Sequence, residues 1–284
     1  MFEKIKQFIY LTRLNKPIGI FLLLWPALWA LWLASTGRPD ANIVFIFIAG
    51  VIVMRAAGCV VNDIADRNFD GEVERTRKRP LVTQKITLKE AWIVFLILIS
   101  CAFTLVLFLN SYSIFLAFIG AFLAILYPFM KRFTHLPQLG LGLAFAWSIP
   151  MAFAAETNSI SFEAWILFLA AAIWPVIYDT MYAMVDEIDD IKIGVKSTAI
   201  LFGKWDKIIV GLLQIIFLLL FVWIGFLFKL RLIYFLSVLL AGLLFIYQQV
   251  LIKSRDRENC FKAFLNNHWV GLIVFLGIFM SYSL

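Results

Sequence analysis

Cysteine, histidine and charged residues are all scarce in this sequence, and each scarcity excludes a class of site. The cysteines Cys59, Cys101 and Cys260 are widely spaced and form no C-x-x-C pattern, which is typical of packing residues. His135 and His268 are isolated, so a histidine-rich metal or haem site is excluded. Charged residues make up 15% of the chain, far below the roughly 25% of soluble domains.

Apolar residues are abundant instead. They make up 63% of the 284 residues, and runs long enough to cross a bilayer fill nearly the whole chain. We therefore predict an all-α, multi-spanning membrane protein with a single domain over residues 1–284. The net charge of +7 does not indicate nucleic-acid binding, because the basic residues stand in short loops beside apolar runs.

Nine apolar segments are predicted to span the membrane. Residues 1–16 mix apolar residues with four basic ones and are expected to lie in the interface as an amphipathic segment. Pro26, Pro150 and Pro175 fall inside spans, where neighbouring helices can satisfy the freed backbone groups. The predicted spans are residues 17–34, 43–61, 88–109, 114–130, 139–155, 162–185, 208–228, 232–252 and 268–282.

Two of these spans begin with capping signals. Either Asp40 or Asn42 can cap the second span with a side-chain oxygen. Thr87 and Glu90 form the T-x-x-E pattern of a capping box at the start of the third span.

The distribution of lysine and arginine predicts the orientation. With the N-terminus inside, 21 of the 25 basic residues lie on the inner side. Only Arg38, Lys229 and Arg231 fall in outer loops, and Arg55 lies within a span. This bias strongly favours a cytoplasmic N-terminus.

Ten of the 18 acidic residues fall in two windows. At 100° per residue, Asp63, Asp66 and Asp70 would lie within about 60° of one another on a helix, and Asp186 and Asp190 are one turn apart. Each window therefore presents carboxylates in one direction. The windows are Asp63, Asp66, Asp70, Glu72 and Glu74, then Asp179, Asp186, Glu187, Asp189 and Asp190.

The clustered carboxylates favour a metal and diphosphate site. Ionisable groups at membrane depth cost about 2.5–3.5 kcal/mol each at a helix centre and usually serve function. Like charges this close repel unless cations lie between them, and Mg²⁺ takes carboxylate, phosphate and water oxygens. The alternative is that these acids are solvated and merely balance the basic residues of the loop, Arg75, Arg77, Lys78 and Arg79.

The two windows also align with each other. Residues 55–70 and 179–194 are predicted to form a weak internal repeat whose halves face a shared cavity. The paired positions are Asn62 with Asp186, Asp66 with Asp190, and Arg55 with Asp179.

Basic residues on the same inner edge can neutralise diphosphate oxygens. For each of them, the positive-inside bias alone is a sufficient explanation. The loop at residues 75–79 can also bind anionic lipid headgroups. The candidates are Arg67, Lys131, Arg132, Lys192 and Lys196.

Arg55 and Asp179 lie one to two turns deeper than the other charges. A charge at that depth needs a partner or a polar substrate. Arg55 either binds a substrate carboxylate or pairs with an aspartate. Tyr127 and Tyr178 stand near the same level, where interfacial aromatic residues are common.

These motifs resemble the UbiA-type intramembrane prenyltransferases from about residue 12 to the C-terminus. Asn62, Asp63, Asp66 and Asp70 match the family pattern N-D-x-x-D-x-x-x-D, and Asp186 and Asp190 match D-x-x-x-D. Further matches are K-P-I-G at residues 16–19, M-R-A-A-G-C at 54–59, Y-P-F-M-K-R at 127–132 and I-K-I-G-V-K-S-T-A at 191–199.

The resemblance implies nine helices around a central cavity that opens to lipid, with the active site on the cytoplasmic side of a bacterial inner membrane. It implies transfer of a polyprenyl chain from polyprenyl diphosphate to 4-hydroxybenzoate, in ubiquinone biosynthesis, with Mg²⁺ as cofactor. A nearby carboxylate such as Asp186 would accept the ring proton.

The resemblance also assigns roles by position. Asp66, Asp70, Asp186 and Asp190 would hold Mg²⁺ and the diphosphate, with Asn62 and Asp63 in support. Arg67, Lys131 and Arg132 would neutralise diphosphate, and Arg55 is the candidate for the aromatic carboxylate. Tyr127, Asp179, Lys192 and Lys196 complete the predicted substrate-binding set.

Two other functions stay open at this point. The same fold can act on another aromatic acceptor, as in menaquinone or haem prenylation. A cation-coupled transporter can also use broken helices, a repeat and buried carboxylates, but transport sites lie near the midplane, whereas these carboxylates cluster at the cytoplasmic edge.

Overall fold

The computed structural model describes residues 2–68, 70–72 and 74–284. Within that part of the chain the regular structure is helical, with no strand. The helices are α1 (Phe2–Leu11), α2 (Ile18–Ala34), α3 (Ala41–Asp66), α4 (Leu88–Val106), α5 (Ser111–Met130), α6 (Pro137–Ala146), α7 (Ser148–Thr157), α8 (Phe162–Ile193), α9 (Thr198–Phe202), α10 (Asp206–Leu227), α11 (Leu232–Ile252) and α12 (Arg257–Ser283).

Eight segments of the described chain are long and apolar enough to cross a membrane. They are α3, α4, α5, the α6–α7 pair, α8, the α9–α10 segment, α11 and α12. Helix α2 is a shorter apolar helix of 17 residues, at the lower end of the lengths that can span. The all-α, multi-pass architecture is confirmed, and the ninth crossing stays a prediction.

The structure confirms the predicted caps of α3 and α4. Asp40 Oδ1 accepts hydrogen bonds from the backbone amides of Asn42 at 2.7 Å and Ile43 at 3.3 Å, so Asp40 is the cap of α3. The Thr87 amide donates to Glu90 Oε2 at 2.9 Å, and the Glu90 amide donates to Thr87 Oγ1 at 3.3 Å. This reciprocal pair fixes the start of α4.

Several helices extend beyond the apolar runs that predicted them. Helix α3 continues to Asp66, α8 continues to Ile193, and α12 begins at Arg257 rather than near residue 268. An apolar run marks the hydrocarbon layer, whereas backbone hydrogen bonding continues into the polar region. Gly194, with φ of 72°, then ends α8 in the left-handed conformation. Both acidic motifs therefore begin on the last turns of long helices.

The predicted helical register is wrong for Asp70. Helix α3 ends at Asp66, and Asp70 lies in the turn beyond it. The Asp70 amide still donates to the Asp66 carbonyl at 2.9 Å. Asp70 is therefore held near the helix end by that turn rather than by a continuous helical face.

The fifth predicted span is divided into two helices. Helix α6 ends at Ala146, Trp147 forms the junction, and α7 starts at Ser148. Pro150 lies in the first turn of α7 and removes the amide that would bond to the Ala146 carbonyl, against which its ring also clashes. The effect of the proline therefore appears at Ala146, four residues before it, where α6 ends.

Helix α8 lies at the centre of the bundle. Its Trp174 packs against Trp29 of α2, with ring centroids 5.2 Å apart, and Trp29 packs edge-on against Phe221 of α10 at 5.0 Å. The Trp29 indole N–H donates to the Gly271 carbonyl of α12 at 3.1 Å. These aromatic contacts hold α2, α10 and α12 around α8, which carries the second acidic motif.

Gly142 provides a test of the packing between α6 and α8. A Cβ at Gly142 would overlap the carbonyl oxygen of Ala172, a backbone atom that cannot rotate away. We expect Gly142→Ala to destabilise the protein by about 1–3 kcal/mol, because overpacking exceeds the gain of about 0.5–1 kcal/mol from replacing a helical glycine. Thermal unfolding in detergent measures the effect.

Gly58→Ala on α3 is the matched control. A Cβ at Gly58 meets no atom within 4 Å, so its melting temperature should equal or exceed that of the wild type. A Gly142→Ala protein as stable as Gly58→Ala would contradict close backbone packing of α6 on α8.

Candidate active site

A cavity of about 1420 Å³ lies among the helices. Most of the charged residues gather at one end and apolar residues line most of the rest, so the cavity can hold a molecule with an ionic head and a hydrocarbon tail. Residues at the polar end include Asn62, Asp66, Asp70, Arg75, Lys131, Asp186 and Asp190. The apolar wall includes Phe47, Ala102, Phe103, Val106, Leu141 and Trp147.

Asp66 is the last residue of α3 and is 2% exposed. Its Oδ2 forms an ion pair with Lys131, which lies just beyond the end of α5. Its Oδ1 is buried and has no hydrogen-bond partner among the described residues. A single lysine therefore leaves part of this carboxylate available to a ligand.

Asp63 and Asp70 share Arg79 of the loop that joins α3 to α4. The guanidinium of Arg79 lies 3.0 Å from Asp63 Oδ1 and 2.5 Å from Asp70 Oδ2. Asp63 also pairs with Arg13, which follows α1. Burial raises the pKa of the Asp70 carboxyl, and the Arg79 guanidinium opposes that rise. These contacts fasten the loop and the N-terminal segment to the end of α3.

Asp186 of α8 is bound by Arg75 from the same loop. Arg75 Nε lies 2.9 Å and Nη2 2.5 Å from Asp186 Oδ2, and the guanidinium stacks 4.6 Å from the Tyr182 ring centroid. Asp190 lies one turn further along α8 and also lines the cavity. The loop therefore connects the two acidic motifs across the mouth of the cavity.

The carboxylates are suited to a hard cation that arrives with other ligands. In the described part of the chain, no three His, Cys, Asp or Glu side chains lie close enough to hold a metal ion alone. Mg²⁺, however, usually takes one or two carboxylates and fills its remaining positions with phosphate and water oxygens. The unpartnered Oδ1 of Asp66 and the all-carboxylate donor set fit that mode of binding.

The model of the UbiA prenyltransferase family matches residues 23–277, which is most of the chain. The chain belongs to the UbiA prenyltransferase family. A relative from Citrobacter koseri, named 4-hydroxybenzoate octaprenyltransferase, is 58% identical over 280 residues, which cover 99% of this chain and 97% of that protein.

Solved structures agree with this assignment. The apo structure of a UbiA homologue from Aeropyrum pernix K1 superposes with a TM-score of 0.81 at 27% identity, and covers 92% of this chain and 97% of that one. A UbiA homologue from Archaeoglobus fulgidus bound to GPP and Mg²⁺ has a TM-score of 0.72 at 16% identity, and covers 98% of this chain and 100% of that one. The second likeness supports the fold alone.

In this UbiA-family chain, most of the predicted site residues lie around one cavity. The cavity brings together Arg55, Asn62, Asp66, Asp70, Tyr127, Lys131, Asp179, Asp186, Asp190 and Lys196. Four predicted residues do not line it, namely Asp63, Arg67, Arg132 and Lys192. The predicted internal repeat stays a prediction.

Arg67 and Arg132 lie on the other side of the end of α3. Both line a small separate cavity beside Trp92. Arg67 is exposed, with its Nη1 3.5 Å from the Ile64 carbonyl, and Arg132 donates to the Ala65 carbonyl. Guanidinium groups there can hydrogen-bond to the last carbonyls of α3, and their positive charge stabilises the negative end of the helix dipole. Their position supports a helix-capping role, and the predicted catalytic role stays a prediction.

The two predicted lysines near the end of α8 differ in position, since Lys192 lies in its last turn and Lys196 lies beyond it. Lys192 is 70% exposed and lies 3.7 Å from Asp189 on the solvent side, where its charge is screened. Lys196 lines the cavity, donates from Nζ to the Phe133 carbonyl at 3.3 Å, and donates from its amide to the Lys131 carbonyl at 3.1 Å. Lys196 therefore connects the loop after α8 to the residue that pairs with Asp66.

Arg13, Arg75 and Arg79 were not predicted as site residues, although each binds a motif carboxylate. The sequence showed a basic N-terminal segment and a basic loop but not which carboxylates they reach. The alternative in which loop cations balance the acids is correct for Arg75 and Arg79, which form such ion pairs. It is wrong about solvation for Asp63, Asp66, Asp70 and Asp186, which are at most 7% exposed.

The shared contacts of Asp63 provide a test of the loop. We expect Asp63→Asn to release Arg13 and weaken the hold on Arg79, because removing one partner of a buried ion pair costs about 3–5 kcal/mol. Trypsin should then cut after Arg75, Arg77 and Lys78 at least about tenfold faster in the folded protein. Mass spectrometry of the fragments measures the rate.

Glu72→Gln is the control, since Glu72 is an exposed acid of the same loop. Its cleavage rate should equal that of the wild type. Equal rates for Asp63→Asn and Glu72→Gln would contradict an anchoring role for Asp63.

Proposed function

We propose that this protein transfers a polyprenyl group from polyprenyl diphosphate to the ring of 4-hydroxybenzoate, ortho to the hydroxyl, in ubiquinone biosynthesis. The observation that carries the proposal is the 58% identity, over nearly the full length of both chains, to a protein named for that reaction. The cavity supports it independently, because carboxylates and cations occupy one end and apolar residues line the rest.

The diphosphate occupies the polar end. Asp66, Asp70, Asp186 and Asp190 would hold Mg²⁺ together with the diphosphate oxygens, and Asn62 lines the same end. When bound, the metal stabilises the negative charge that develops on the departing diphosphate. Lys131 and Arg75, which already lie against these carboxylates, neutralise phosphate oxygens from the protein side.

The aromatic acid lies deeper, with its carboxylate on Arg55. Arg55, Tyr127 and Asp179 line the cavity below the acidic motifs. The guanidinium makes no hydrogen bond or ion pair with a described residue. A benzoate carboxylate would supply a partner for this half-buried guanidinium.

The reaction breaks the allylic C–O bond and forms a C–C bond to the ring. The electron pair of the broken bond leaves with diphosphate, and the electron-rich phenol attacks the allylic carbon, which has carbocation character. The ring proton then passes to a cavity carboxylate such as Asp186. The apolar wall excludes water, which would otherwise capture the allylic centre and release prenol.

The proposal includes the orientation of the chain in the membrane. The chain crosses a bacterial inner membrane nine times, with α2 as the first crossing and the N-terminus in the cytoplasm. The concentration of basic residues on the side of the acidic motifs supports this arrangement. Polyprenyl diphosphate then enters from the lipid, and 4-hydroxybenzoate enters from the cytoplasm.

One assay tests the reaction. Purified protein given polyprenyl diphosphate, labelled 4-hydroxybenzoate and Mg²⁺ should produce a labelled lipid-soluble product, and chelation with EDTA should abolish it until Mg²⁺ is restored. No product with any prenyl chain length from folded protein would refute the proposal. Product only with a menaquinone-type or haem-type acceptor would establish the same fold with another substrate.

Asp66→Asn and Asp186→Asn test the polar end. We expect each to lower kcat/KM by at least about two orders of magnitude, because each removes charge that holds Mg²⁺ and diphosphate in the transition state. Glu72→Gln, an exposed acid of the adjoining loop, should keep wild-type turnover. Wild-type turnover in both aspartate variants would exclude these carboxylates from the reaction.

A further inference from the structure

Gly19 lies directly against the guanidinium of Arg55. It is buried in the first turn of α2, on the wall of the cavity. A Cβ at this position would overlap Arg55 Nε and would lie 2.5 Å from Nη2 and 2.7 Å from Cζ. These are the closest contacts of that Cβ, so the absence of a side chain at residue 19 makes room for one functional group.

Arg55 is the arginine whose position matters most for an acceptor acid. Arg13, Arg75 and Arg79 each pair with a motif carboxylate, whereas Arg55 has no ion pair within the described residues. A guanidinium without a fixed partner has several rotamers available. The wall it lies against therefore decides where its fork of N–H groups points.

We propose that Gly19 is a positioning residue for the acceptor: it sets the depth of the Arg55 guanidinium and so selects an aromatic acid with the length of a hydroxybenzoate. This inference rests on the proposed function. Ordinary contact with a Cβ needs about 3.4–4 Å, so any larger side chain must push the guanidinium into the cavity. A displacement of about 1 Å at a positioning group can cost up to about a hundredfold in rate.

A packing role for Gly19 makes a different prediction. If the glycine only allowed α2 to approach α3, a substitution would lower stability and affect both substrates and every Arg55 variant equally. A positioning role acts through the guanidinium atoms alone. The penalty of a Cβ should therefore disappear when those atoms are removed.

A double-mutant cycle separates the two roles. We expect Gly19→Ala to raise the KM for 4-hydroxybenzoate at least about tenfold, with the KM for polyprenyl diphosphate within about twofold of wild type. In the Arg55→Ala background, where every side-chain atom beyond Cβ is absent, adding Gly19→Ala should change the KM for 4-hydroxybenzoate less than about twofold.

Gly211→Ala on α10 is the control for replacing a helical glycine. Its Cβ would meet the Gln249 side chain at 3.5 Å, an ordinary contact, and both KM values should stay at wild-type levels. The thermal unfolding of every variant is measured alongside its kinetics. Should Gly19→Ala unfold, recovery of folding in the Gly19→Ala/Arg55→Ala protein supports the overlap, and failure in both backgrounds overturns it.

The outcomes distinguish this inference from the proposed function. Wild-type protein that makes no product from 4-hydroxybenzoate overturns both. Wild-type protein that makes product, with an unchanged KM in Gly19→Ala or an equal penalty with and without the Arg55→Ala substitution, overturns the role of Gly19 alone.

Discussion

Buried carboxylates at the ends of membrane helices need cations, and the arrangement of this site follows from how the fold supplies them. Asp63, Asp66, Asp70 and Asp186 are almost completely removed from water, where an unpaired charge would cost several kcal/mol. Asp63, Asp66 and Asp186 each pair with an arginine or lysine from another segment, and Asp70 pairs with Arg79 of its own loop. The ion pairs therefore draw the N-terminal segment, the α3–α4 loop and the end of α5 around one cavity mouth.

The same contacts bear on the proposed reaction. Arg75 and Lys131 hold Asp186 and Asp66, two of the carboxylates proposed to hold Mg²⁺ with a diphosphate. In the proposed complex the cations would gain phosphate oxygens as partners, and the carboxylates would gain the metal. The loop that neutralises the acidic motifs would thus also neutralise the leaving group.

The local parts of the site were predictable because they depend on residues close in sequence. The cap at Asp40 and the capping box at Thr87 were identified from short patterns, and the acidic motifs were found at membrane helix ends. The register of Asp70 was wrong because the turn after Asp66 breaks the helical periodicity. Arg67 and Arg132, adjacent to motif residues in sequence, face the other side of α3.

The sequence alone determined the membrane architecture, the two acidic motifs and the family resemblance, since apolar periodicity and motif spacing are properties of contiguous residues. Only the tertiary structure decided which cation pairs with which carboxylate. Arg75 and Asp186 are 111 residues apart, and no local pattern encodes such a pairing. The contact of Gly19 with Arg55 has the same origin, because it depends on how α2 packs against α3.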